Sequence, residues 1–452
     1  MKLPETPPNI KELLPEINKD DFERYHDVAE QYNRRYLHWE DLEYRCDSKV
    51  ERRSIWTLMK LMRAGNLKIG VGNILLNYAL TADFQKILHD IDIRSSAGKF
   101  PGEKLTEREK STYAVSSIME ESIASSQIEG AATTRAVAKK MLREKRKPRN
   151  RSERMIVNSY LAMEFIAKNK DRELTPELIL DIHKIIVNGT IDEPKYEGVF
   201  RDYDDIFVEN AYTGEVYHQS PFTAEMIPQL MRDLCSFVNN EEDFTHPIVK
   251  GIILHFLIGY IHAFHDGNGR LARSLFYWFL LKNDYWIIEY LSLSRKIKEH
   301  LGGYEWAYLY TESDNNDVTY FIQFNLSVMN EALSDFIKYL KKKRDEFEEM
   351  ELQTSADHKL PIRQQSILAN AIKTGEAFTI QEMATMYQVT YQTARIDVKT
   401  LEEKGLIKEA GKQSNQLLYK YNKGKTQSQD ESEKYSNSPK NTNQTDRDAD
   451  RT

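Results

Sequence analysis

The chain has 452 residues, 40% of them hydrophobic and 29% charged, with a net charge of −7. That length accommodates two to four domains with buried cores, and so small a charge imbalance argues against a molecule-wide field for nucleic acid or membranes. Two isolated cysteines, Cys46 and Cys235, offer no metal-ligand spacing, and the opening Met1-Lys2-Leu3-Pro4-Glu5-Thr6-Pro7-Pro8 lacks an apolar signal segment, so a reducing, cytoplasmic setting is expected.

Residues 1–20 are rich in proline and read as a segment draped over the surface, and residues 21–92 read as two to four helices. A further helix begins near Glu107 and ends at Ser125-Ser126-Gln127-Ile128-Glu129-Gly130, where Ser125 and Glu129 share a face and Gly130 suits a C-cap. The basic run Lys139–Arg151 reads as a solvated face or linker. Leu174-Thr175-Pro176-Glu177 reads as a helix start, with Thr175 as the cap and Pro176 in the first turn. From Glu197-Gly198-Val199-Phe200-Arg201, through Ile206-Phe207-Val208 and Ala211-Tyr212-Thr213-Gly214, to Val216-Tyr217-His218 and Ser220-Pro221, apolar alternation around a glycine-containing turn predicts a β-hairpin.

The most informative stretch is His262-Ala263-Phe264-His265-Asp266-Gly267-Asn268-Gly269-Arg270-Leu271-Ala272-Arg273. Apolar runs on both sides, 251–261 and 274–281, predict two buried helices, and the first is too short to span a bilayer. Gly267 and Gly269 are expected to break the helical pattern, with the second helix starting near Arg270. A glycine turn before a helix N-terminus cradles anions. Arg270 and Arg273, three apart, place two guanidinium forks at that entrance, which suits a polyphosphate. Asp266 is a hard oxygen ligand for Mg²⁺ between phosphates, and His262 can act as a general base near neutral pH. A phosphoryl- or nucleotidyl-transfer site is the expectation.

This stretch resembles the signature of the Fic family: His, any residue, Phe, any residue, Asp or Glu, Gly-Asn-Gly-Arg and a second Arg three residues on. Many members have proline where Ala263 stands. The resemblance implies transfer of AMP from ATP to a hydroxyl of a target protein. His262 would then deprotonate that hydroxyl and Asp266 would hold the metal. Gly267, Asn268 and Gly269 would cradle phosphates, Arg270 and Arg273 would contact the outer ones, and Phe264 would anchor the loop. Ser125, Glu129 and Gly130 resemble the family's inhibitory motif, in which Glu129 would pair with Arg273 and prevent a productive ATP pose. The hairpin resembles the family's flap, which aligns the target by strand addition, so Ile206, Phe207 and Val208 would meet the target. Family members commonly associate and self-modify, which admits a homodimer and the chain itself as a target.

The C-terminal part resembles a winged helix-turn-helix: a helix capped by Thr379, a second after Thr390 closed by Gly405, and strands at Leu406–Lys408 and Gln416–Tyr419 forming a wing around Gly411. Thr390, Tyr391, Gln392 and Thr393 would enter a major groove, with Arg395 and Lys399 on phosphates. Nine basic against six acidic residues over 360–423 is a weak balance for DNA, and the fold also serves protein contacts. From 424 onward the composition predicts disorder. The expected molecule is mainly α-helical, a Fic-type helical bundle with a β-hairpin flap plus a small winged-helix domain. Its divisions are 1–105 helical, 106–345 catalytic with the inhibitory helix near 107–130 and the flap near 198–221, 358–422 winged helix, and 424–452 tail. Three other readings stay open: removal of AMP with Glu129 positioning water, a nucleotide-sensing DNA-binding regulator, and a transition-metal hydrolase on His262, His265 and Asp266. Tyr304 and Tyr308 suit either base-pocket walls or core.

Overall fold

The Pro247–Ile261 helix is apolar all round, so it must be enclosed on every side. Ile248, Val249, Ile252, Ile253, Leu254, Phe256, Leu257 and Ile261 have no exposed surface in the computed structural model, which describes residues 3–96, 107–209, 214, 216–354, 360–413 and 416–422. Its principal partner is the Asn268–Lys282 helix. Gly251 lets the two approach closely, since a Cβ there would lie 3.0 Å from Phe276 and 3.2 Å from Phe279. One hydrophobic cluster around this pair takes in side chains of the Arg151–Lys168, Pro176–Val187, Ile227–Asn239, Leu301–Ser313 and Thr319–Thr354 helices. Pro176 opens its helix as expected, and Thr175 Oγ1 accepts the Leu178 N–H at 3.2 Å. The Glu107–Ile128 helix packs against Arg151–Lys168, and Gly130 follows it in the left-handed region at φ 88°.

The first 96 residues contain short Ile10–Leu13 and Trp39–Leu42 helices and longer ones at Lys19–Arg34, Lys49–Met62 and Ala82–Ser96. The helical reading of this region missed a second hairpin. Leu67–Val71 pairs antiparallel with Ile74–Tyr78, leaving Gly72 and Asn73 as a two-residue turn. Gly72 takes φ 57°, so its own backbone demand marks the turn. Buried polar contacts fasten this region to the bundle: Arg63 donates to Tyr320 Oη, and Tyr36 donates to Asp317 at 2.7 Å. The molecule is mainly α-helical, and no described helix is long and apolar enough to cross a membrane.

The chain divides into two compact units, 1–341 and 342–452. In the second, the helices Ile362–Thr374, Ile380–Met386 and Tyr391–Glu403 share a core with a three-stranded sheet. In that sheet Gln416–Tyr421 lies between Phe378–Thr379 and Ile407–Gln413. Thr379 and Glu382 form a reciprocal capping box, and Thr390 caps the third helix. Gly411 does not sit at the tip of the wing. It lies within the first strand, where the register shifts after Glu409 and a φ of 116° accommodates a bulge. The tail expected to be disordered, 424–452, lies outside the described residues.

Candidate active site

The loop between the two central helices is held from several directions. His262 ends the first helix in the left-handed region, φ 51° and ψ 55°, a conformation that costs a non-glycine residue energy and persists only where surroundings enforce it. Its Nδ1 lies 3.2 Å from the Gly259 carbonyl, which can only accept, so Nδ1 carries the proton and Nε2 presents a lone pair. Burial, and next the nearby His218, pull its pKa down from 6.5 to about 4, so the ring is neutral at physiological pH. Phe264 is fully buried, stacked on His183 at 3.9 Å. Asn268 staples the loop: its Oδ1 accepts from Phe264 N at 3.1 Å and its Nδ2 donates to Phe264 O at 2.7 Å.

Gly267 is the N-cap of the Asn268–Lys282 helix at φ 88°, and a Cβ there would come within 2.7 Å of Val187. The helix therefore starts two residues earlier than the glycine pattern predicts. Gly269 lies inside its first turn and does not break it. The first intrahelical bond from this end runs from Leu271 N to Gly267 O at 2.9 Å, so the N–H groups just before it point out of the helix end as anion donors. Asp266 Oδ1 accepts from Gly267 N at 2.5 Å and lies 3.3 Å from Arg270 Nη2, while its Oδ2 is 3.8 Å from Arg151. The half-exposed carboxylate thus keeps an oxygen directed outward.

The two arginines do different things. Arg270 is 1% exposed and donates to the Ile186 carbonyl at 3.2 Å, so it braces Asp266 and the loop from beneath. Arg273 is also buried, and donates through Nε to Ser125 Oγ at 2.9 Å and through Nη2 to Ser125 O at 3.0 Å and Glu129 Oε1 at 2.9 Å. Burial opposes its charge, but Glu129, Tyr304 and Glu121 together more than compensate, and its pKa stays above the usual guanidinium value. Arg270 Nε and Arg273 Nη1 find no hydrogen-bond partner among the described residues. A Cβ on Gly269 would collide with the Glu129 carboxylate, so a side chain there would displace Glu129 where it crosses the first turn.

Residues 173–280 match the family model described as the Fic/DOC family. The chain carries a Fic domain. It is 31% identical over 118 residues to the protein adenylyltransferase Fic of Aedes aegypti. It is 27% identical over 117 residues to the protein adenylyltransferase fic-1 of Caenorhabditis elegans. Each match takes in 26% of this chain and 21% of the relative, so the chain spans about a fifth of the length of the curated relatives it matches. A Fic family protein from Desulfovibrio desulfuricans G20 has a similar fold, with a TM-score of 0.51 at 21% identity, covering 77% of this chain and 98% of that one.

The Fic domain's hairpin pairs Phe207–Glu209 with Val216–Gln219, with an irregular register between Val208 and Glu209. Phe207 and Val208 are exposed at 47% and 41%, whereas Ile206, expected to meet the target with them, is buried. The turn residues 210–213 lie outside the described residues. Several supports of the Fic loop escaped sequence reasoning. His183 Nε2 donates to Asp266 O at 2.8 Å while its Nδ1 accepts from Gly198 N at 3.2 Å, a pattern only a neutral ring satisfies. Burial accordingly takes its pKa down to about 4. Arg201 donates to His262 O at 3.1 Å, and Ser220 Oγ to Ile261 O at 2.8 Å. No local pattern marks these residues, because their partners lie 41 to 83 positions away. Tyr304 and Tyr308 belong to the core, with hydroxyls against His255 Nε2 and His255 O.

Proposed function

We propose that this chain is a protein adenylyltransferase that Glu129 holds in an inactive state. The carrying observation is the Glu129–Arg273 ion pair laid across Gly269 at the donor-rich start of the second central helix. Adenylyltransferase names among the relatives agree with it. In this reading the ATP phosphates lie against the N–H groups after Gly267. Arg273 takes an outer phosphate once Glu129 lets go, and Arg270 supports the cradle from below. His262 Nε2 removes the proton from a target hydroxyl. The hydroxyl oxygen then bonds to the α-phosphorus, the bond to the β-phosphate oxygen breaks, and pyrophosphate leaves. Phe207 and Val208 offer an exposed strand to the target segment.

Among the described residues no group of three or more His, Cys, Asp or Glu could hold a metal ion alone. A single carboxylate, Asp266, beside a phosphate cradle fits Mg²⁺, which takes few protein ligands and completes its shell with phosphate oxygens and water. Mg²⁺ would supply charge neutralisation on the phosphates. A transition-metal hydrolase on His262, His265 and Asp266 is disfavoured, since among the described residues no His, Cys, Asp or Glu cluster of the needed size converges.

Self-labelling with ATP radiolabelled at the α-phosphate tests the proposal on wild type, Glu129→Gly, and Glu129→Gly with His262→Ala. Losing a charge-assisted hydrogen bond of about 1.5–3 kcal/mol should raise labelling about 10- to 100-fold in Glu129→Gly. Removing the base should then lower it by about 10² or more. Folded protein that binds ATP but takes no label in any variant would sink the reading and favour removal of AMP or nucleotide sensing.

A further inference from the structure

The end of the Pro247–Ile261 helix has a capping problem that the flap solves. The last carbonyls of a helix lack intrahelical donors and must find them elsewhere. Here four consecutive carbonyls, from Tyr260 to Ala263, are met by the hairpin and the segment leading into it. His218 Nε2 lies 3.1 Å from Tyr260 O, and Ser220 Oγ donates to Ile261 O at 2.8 Å. Arg201 donates through Nε to His262 O at 3.1 Å and through its backbone N–H to Ala263 O at 2.9 Å. The backbone that carries the base is therefore suspended from the flap.

His218 has a further partner. Its Nδ1 lies 2.8 Å from Glu312 Oε2, contributed by the Leu301–Ser313 helix, which belongs to neither loop nor flap. Both ring nitrogens thus face oxygen atoms, a carbonyl and a carboxylate, so the ring bridges two elements. The side chain is 9% exposed and its ring centroid is 6.0 Å from that of His262. On the strand, His218 pairs with Val208, whose exposed side chain would face the target. Thus one residue touches the flap, the turn that presents the base, and a third element that fixes both.

We propose that His218, clamped by Glu312, is a positioning residue for AMP transfer: it fastens the target-aligning strand to the turn presenting His262, so target hydroxyl and base meet in register. This rests on the adenylyltransferase reading. His218 acts through placement and does not itself touch ATP, so its loss acts on the rate of transfer and spares nucleotide binding.

The test is the initial rate of self-labelling against ATP concentration in the Glu129→Gly protein. His218→Ala and Glu312→Ala should each slow the maximal rate about tenfold or more, because displacements near 1 Å are that costly. Half-saturating ATP should move less than about threefold, with the affinity for ATP by calorimetry equally preserved. Because the two side chains act as one device, the double variant should be within about twofold of His218→Ala. Glu312→Gln, which retains an acceptor for Nδ1–H, should recover most of the rate. An undiminished rate in His218→Ala overturns the proposal, as do losses that multiply in the double variant, or ATP binding lost in step with rate. If His218→Ala fails to fold, Glu312→Gln against Glu312→Ala decides by the same criterion, and equal rates overturn the proposal. Absence of label in Glu129→Gly itself overturns the adenylyltransferase reading, and this inference with it.

Discussion

At the scale of single residues, the protonation of His262 follows from where its backbone puts it. Packing strips water from the ring, the nearby His218 lowers it further, and the pKa falls from 6.5 to about 4. Above pH 6.5 the ring is neutral folded or unfolded and contributes nothing to pH dependence. Between 6.5 and about 4 the unfolded chain binds the proton and the folded chain does not, so stability declines as pH falls through that window. His183 shifts the same way, also to about 4, and adds to the decline. Urea midpoints from pH 7.5 down to 4.5 should therefore fall, and His183→Gln should flatten the fall relative to its own value at neutral pH; an unchanged slope would refute the assignment. In the Glu129→Gly protein, the acidic limb of kcat/KM for labelling should lie below pH 6 if the free base is His262, and a limb at 6.5 or above would contradict it.

The proposed inhibitory element is more than Glu129. Glu121, Ser125 and Glu129 stand four apart along the Glu107–Ile128 helix and its end, so they fall on one face. Ser125 and Glu129 hold Arg273. Glu121 is 2% exposed and accepts from Ser294 N at 2.9 Å, from the Ser294 hydroxyl and from Tyr277 Oη at 2.8 Å. Burial raises the pKa of its carboxyl. Glu121→Ala would leave the buried Ser294 N–H unpaired and should cost about 2–3 kcal/mol, read as a lower urea midpoint. Because the same face carries the proposed clamp, self-labelling should also rise with Glu129 intact. Destabilisation without any gain in labelling would separate the anchor from the clamp.

At the scale of the whole molecule, the second unit presents a helix whose polar groups are partly committed to its own structure. Asp397, buried on the Tyr391–Glu403 helix, is held by Arg363, and Lys399 lies 2.6 Å from Glu402. Tyr391 and Ile396 are the exposed apolar residues of that helix. A groove reader would instead spend this face on phosphates and base edges. The full-length protein should therefore show little salt-dependent retention of a DNA duplex in a gel shift near 50 mM salt, with a log–log slope smaller than about 2. A steep slope that Arg395→Ala abolishes would restore the DNA-binding regulator.

The candidate chemistry was legible in the sequence because it is concentrated in one contiguous stretch. His262, Asp266, Gly267 and Arg273 lie within twelve residues between two apolar runs, and a glycine turn before a helix has few other uses. Local rules also reached Thr175, Pro176, Thr379 and Gly130, because caps are decided by neighbours three or four residues away. The hairpin turn at Gly72-Asn73 was equally local, but its flanking residues suited the helical period assigned to them. Only the tertiary structure decided that Gly269 continues a helix, that Arg270 faces inward, and that Asn268 closes the loop on Phe264. It alone brought His183, Arg201, His218, Ser220 and Glu312 to the loop. The physical reason is that a buried backbone carbonyl accepts from whichever donor the fold delivers, and an unpatterned His, Ser or Arg far along the chain carries no local trace of that delivery.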